Sequence, residues 1–80
     1  MSWKEENSKL KKTVELKDFK AALNFVNEVG VIAESKQHHP DLFIHEYNKV
    51  QITLTTHDEG KVTDKDHEVA KAIDTLQVSN

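Results

Sequence analysis

Eighty residues with 11 basic, 14 acidic and no cysteine side chains make a single domain, 1–80, and exclude a separate ligand-binding lobe, a disulfide framework and a thiolate metal site. The formal charge of −3 comes from interspersed acids and bases without a basic stripe, which weighs against direct nucleic-acid binding. The apolar runs are too short for a membrane span, and the polar start "MSWKEENSKLKK" has no signal-peptide core, so the chain reads as soluble and cytoplasmic.

In chain order, "LKKTVEL" sets Leu10, Lys12, Val14 and Leu16 on one side of an extended segment and Lys11, Thr13 and Glu15 on the other. That period of two predicts a strand, with "SWKEE" as a short partner across a turn near Asn7-Ser8. From Asp18 the period becomes helical. Phe19, Ala22, Leu23, Val26, Gly30 and Ala33 form the expected apolar face, and Asp18 is the expected N-cap. Pro40 disfavours helical dihedrals in the residue before it, so the helix should stop near Gln37 or His38.

"LFIHEY", Asn48-Lys49 and "VQITLTT" read as a hairpin whose second arm alternates Val50, Ile52 and Leu54 with Gln51, Thr53 and Thr55. After the "HDEGKVT" loop, Thr63 and Asp66 have the spacing of a capping box opening a second helix. Its apolar face is Val69, Ala70, Ile73 and Leu76, and Asp64, Asp66 and Glu68 suit the positive end of its dipole. Hairpin or strand, helix, hairpin, helix is the order of an α+β two-layer sandwich, an antiparallel-type sheet with both helices packed on one face.

"ESKQHHP" sets two histidines against the only proline. Glu34 and His38, four apart, share a helix edge, so the carboxylate is positioned to orient or tune the His38 imidazole. His39 follows in an extended conformation, and its ring points elsewhere. Such a pair suits gripping a small ligand better than chelating one metal ion, and no HExxH or other close helical ligand pair accompanies it. Adjacent histidines at a helix C-terminus also cap carbonyls and complement the dipole, which is the blander role for His-His-Pro alone. His57 stands at a strand end before Asp58-Glu59-Gly60, where scaffolds tend to carry function. Trp3, the only tryptophan, serves as a hydrophobic plug or as a stacking surface.

Glu34, His38-His39-Pro40, Tyr47, His57 and Asp66 in this spacing resemble the signature of the pterin-4a-carbinolamine dehydratases, and the resemblance extends from Trp3 to the last helix. It implies a hydro-lyase that dehydrates 4a-hydroxytetrahydropterin to quinonoid dihydropterin in tetrahydrobiopterin recycling. The pterin is the substrate, and no metal or other cofactor is implied. By resemblance, His38 and His57 exchange protons at the 4a-hydroxyl and N5, His39 binds and polarises the pterin, and Glu34 orients His38. Asp58 and Trp3 join His39 as expected substrate contacts.

The resemblance also implies homodimers joined through their sheets, or homotetramers. It carries a second role, since members in animals act as dimerisation cofactors of a homeodomain transcription factor; a dehydratase-like protein acting on another pterin is a further alternative. Leu42 stands where many members have tryptophan, and the segment from Pro40 to Tyr47 is one residue longer than in some relatives. An extra residue flips all later side chains unless a bulge absorbs it, so a bulge is expected near Ile44 to Glu46. Simple alternation puts His57 with Gln51, Thr53 and Thr55, so its site lies on that polar face or at the sheet end, or the strand twists out of register before it.

Overall fold

The computed structural model describes residues 3–76, so Ser2 of the expected first strand lies outside the described residues. The elements are β1 (Lys4–Glu6), β2 (Lys9–Glu15), α1 (Phe19–Lys36), β3 (Asp41–His45), β4 (Lys49–Leu54) and α2 (Asp64–Asp74). The four strands form one antiparallel sheet in the order β1-β2-β4-β3. Asn7 and Ser8 both take positive φ, 53° and 63°, the left-handed pair that a tight hairpin turn requires.

Alternation decides which sheet face is covered. Val50, Ile52 and Leu54 are fully buried, and β2 sets Val14, Lys12 and Leu10 opposite them. Both helices close over this face, α1 through Ala22, Phe25, Val29 and Ala33 and α2 through Val69, Ala70 and Ile73. The sandwich is therefore the expected α+β one. Lys12 occupies a core-facing position by laying its stem along the sheet and reaching Asp74 with Nζ at 2.7 Å.

The face of α1 differs from the expected one. Phe25 and Val29 go inward while Phe19 and Leu23 remain 49% and 42% exposed. The helix carries two adjacent apolar stripes, and the sheet takes the one that brings the Phe25 ring inside. Asp18 caps the helix as expected, accepting from the Ala21 amide at 2.8 Å. It ends at Lys36, with Gln37 in the left-handed conformation and the Gln37 and His38 amides donating to Glu34 and Ala33 carbonyls.

The second hairpin turns elsewhere than expected. Its register is regular from Asp41↔Thr53 to His45↔Lys49, and Glu46 and Tyr47 take positive φ of 50° and 57°. No bulge interrupts β3, contrary to the expectation of one near Ile44 to Glu46: its pairing with β4 is continuous up to the turn. Asn48 is no turn tip. It is buried, its Nδ2 donating to the Leu16 carbonyl at 2.9 Å while its own carbonyl accepts from the Leu16 amide at 2.8 Å.

Among the described residues, no helix is long and apolar enough to cross a membrane.

Candidate active site

Antiparallel pairing brings the beginning of β3 beside the end of β4. His38-His39-Pro40 enters β3 at the sheet end where the chain leaves β4 through Thr55, Thr56 and His57. The C-terminus of α1 and the N-terminus of α2 close the same end, since His38 bonds to Asp66 and Thr56 does likewise. Thr55 Oγ1 donates to the Ser8 carbonyl at 2.9 Å, tying the first hairpin turn to this corner.

At its centre is Asp66, 0% exposed. His38 Nε2 lies 2.6 Å from its Oδ1, and Oδ2 accepts from Thr56 Oγ1 and the Thr63 amide, both at 2.9 Å. Burial pushes this carboxyl up, but the hydrogen bonds from His38, the Thr63 amide and Thr56, with the His38 charge, prevail and hold it below the usual value. An ionised Asp66 accepts, so His38 Nε2 carries a proton and donates it.

Glu34 was expected beside His38; the structure pairs it with His39 instead. His39 Nε2 lies 2.6 Å from Glu34 Oε2, with both side chains mostly exposed. The left-handed Gln37 ends the helix one residue too early for an i,i+4 contact, turning His38 inward to Asp66 and leaving the helix edge to His39. The paired imidazoles are thus each anchored through Nε2 by a separate carboxylate. Such anchoring fixes ring orientation and leaves Nδ1 as the second working nitrogen.

His57 lies at the sheet end, the second of the placements that alternation allowed. Thr56 keeps to the core side with Leu54, and His57 begins an exposed turn. Glu59 and Gly60 amides donate to the Thr56 carbonyl at 3.0 and 2.9 Å, and Gly60 takes φ of 66°, where a Cβ is strained. Asp58 is exposed on this turn.

Trp3 stands apart. Its Nε1 donates to both Asp74 oxygens at 3.0 and 3.1 Å, and Lys12 Nζ lies 5.6 Å over its ring. Asp74 is eight residues beyond Asp66 on α2, roughly 12 Å along the helix axis, so Trp3 caps the opposite end as a plug. A concavity of ≈ 900 Å³ at that end is lined by Lys12, Leu16, Phe25, Asn48, Ile73 and Asp74 among others and contains none of the histidines. The polar groups, not this concavity, mark the candidate site. Among the described residues, no cluster of three or more His, Asp and Glu side chains is arranged to hold a metal ion.

Sequence reasoning treated Asp66 as a capping acid and signature residue and missed its bond to His38. A signal was present: Asp66, Val69, Ala70 and Ile73 follow helical spacing, which places the carboxylate in line with the buried stripe. Thr63 carried its signal in the capping-box spacing to Asp66, which its amide bond to Oδ2 bears out; Thr56 had none.

Residues 1–76 match the family described as pterin 4 alpha carbinolamine dehydratase. A relative from Trichormus variabilis is 54% identical over 71 residues, covering 89% of this chain and 75% of its own. One from Sulfolobus acidocaldarius is 48% identical over 75 residues, covering 94% and 81%. Both bear pterin-4-alpha-carbinolamine dehydratase as a provisional name. The solved transcriptional coactivator/pterin dehydratase from Brucella melitensis matches with a TM-score of 0.84 at 32% identity, over 91% of this chain and 79% of that one. A pterin dehydratase-like protein described as a RuBisCO assembly factor in the alpha-carboxysome gives 0.79 at 20% identity over 100% and 94%, a likeness of fold alone. With a family match over nearly its full length and a fold shared with a solved relative, this chain belongs to the pterin 4 alpha carbinolamine dehydratase family.

Proposed function

We propose that this protein dehydrates 4a-hydroxytetrahydropterin to quinonoid dihydropterin and water, by histidine acid–base catalysis. The observation that carries this reading is the pair of adjacent imidazoles, each anchored through Nε2 by its own carboxylate, at the sheet end where His57 emerges. The reaction needs a proton delivered to the 4a-hydroxyl as its C–O bond breaks and a proton removed from N5 as the C4a–N5 double bond forms. His38 and His57 perform these transfers, Asp66 orients His38, and His39 with Glu34 binds and polarises the pterin. Positioned acid–base groups contribute typically about 10²–10⁴-fold. The activity belongs to tetrahydropterin recycling, in a soluble, cytoplasmic protein that takes the pterin as substrate and uses no further cofactor.

The test is the rate of quinonoid dihydropterin formation from freshly generated 4a-hydroxytetrahydropterin, followed by ultraviolet absorbance against the uncatalysed control. Wild type should accelerate it, and His38→Ala should lose about 10²-fold or more. Folded wild-type protein that only matches the control would refute the assignment.

Self-association as a homodimer or homotetramer belongs to the same proposal. Phe43, 58% exposed, lies on edge strand β3, and Phe19 and Leu23 face outward on α1; both surfaces are apolar enough to be shared. Sedimentation equilibrium should give a mass above one chain at micromolar concentration; a strict monomer would argue against it. These surfaces would also serve a dimerisation partner, which keeps a coactivator-like binding role as the second reading.

A further inference from the structure

We infer that Thr56 is a positioning residue of the proposed dehydratase site, its hydroxyl locking the Asp66 carboxylate so that His38 is held by its Nε2–H with Nδ1 left free. The inference rests on the acid–base role given above to His38.

The donor order around Asp66 follows from counting protons. Thr56 Oγ1 lies 2.9 Å from Asp66 Oδ2 and 2.7 Å from Thr63 Oγ1. The carboxylate can only accept, so the single Thr56 proton goes to Asp66. Thr63 must then donate its hydroxyl proton to Thr56. The Thr63 amide also donates to Oδ2, and His38 Nε2 faces Oδ1. Every proton in the network therefore points toward the carboxylate.

Thr56 is 6% exposed, so its hydroxyl has little access to water as a substitute. No buried side-chain nitrogen or oxygen among the described residues lacks a partner. Among the described residues, His38 Nδ1 has no hydrogen-bond partner and is not fully buried, so it is the ring nitrogen left for a ligand. Removing the Thr56 hydroxyl takes away one of the two restraints on Oδ2, frees the carboxylate to rotate and loosens its hold on the ring. The Thr56 backbone separately roots the His57 turn through its amide and carbonyl. Valine retains those backbone bonds and nearly the same shape, so Thr56→Val isolates the hydroxyl.

The experiment compares wild type, Thr56→Val, Thr56→Ala and Thr56→Ser by nitrogen-resolved proton NMR of the imidazoles and by dehydration kinetics. Wild type should show a downfield, slowly exchanging His38 Nε2–H. In whichever of the Val and Ala variants folds, that proton should exchange at least about tenfold faster, and kcat should fall about tenfold with KM little changed, the scale typical of losing an outer-shell orienting bond. Serine should restore both. A wild-type neutral ring without a proton on Nε2, a folded Val or Ala variant with the wild-type resonance and exchange rate, or a Ser variant as impaired as Val overturns the inference. If wild type shows no dehydratase activity, the proposed reaction fails, while the ring signature still decides the role of Thr56.

Discussion

The two ends of α2 each tie the helix to the sheet through an aspartate, and they do so under opposite conditions. Asp66, near the N-terminus, is fully buried and collects donors from His38, Thr56 and Thr63. Asp74, at the C-terminus, has a 42% exposed side chain and holds Lys12 and Trp3. Water reaches the Asp74 carboxylate and offers it an alternative partner, although the Lys12 side chain is only 12% exposed; around Asp66, each lost bond leaves a buried polar group unsatisfied. Comparable contact distances therefore carry unequal energetic weight.

Replacing each aspartate in turn should expose the difference most strongly. Asp66→Ala leaves the ring, hydroxyl and amide donors without their acceptor and should cost about 3 kcal/mol, measured by chemical denaturation. The same deletion at Asp74 should cost at most about 1 kcal/mol, as for other exposed pairs. Equal losses at the two ends would break the comparison.

Acid sharpens it further. Asp66 titrates lower in the folded chain than in the unfolded one, so between the two values the unfolded state holds more protons and stability rises with pH. Its contribution should be complete above about pH 4 and fade as pH falls through the folded value. Denaturation curves between pH 2 and 6 should show this slope in wild type, and Asp66→Asn should flatten it.

The smallest effect concerns salt. Raising ionic strength from low to molar values should weaken the Lys12–Asp74 pair and leave the buried Asp66 network nearly unchanged. Trp3, the only tryptophan, reports locally: its fluorescence should respond to Asp74→Ala and stay as in wild type for a folded Thr56 variant.

Much of the fold was legible because local chemistry and pattern agreed. Asp18 and the Thr63–Asp66 pair marked helix starts, Asn7-Ser8 marked a turn, and alternation through Val50, Ile52 and Leu54 marked the covered face. The second turn was not legible, since Glu46 and Tyr47 are uncommon at positive φ. What draws the chain there is the buried clasp between Asn48 and Leu16, 32 positions apart, which no local pattern encodes. The stripe of α1 was ambiguous for a related reason: two adjacent faces are apolar, and only the sheet's shape selects Phe25 over Leu23.

By itself, the sequence determined the element order, the α+β class and the residues that carry the family resemblance, because periodicity, capping and motif spacing are properties of neighbouring positions. The tertiary structure alone decided which carboxylate serves which histidine, that Thr56 joins them and that Trp3 lies at the far end. These are contacts between residues distant along the chain, set by antiparallel register and by the burial that forces each donor onto the nearest acceptor.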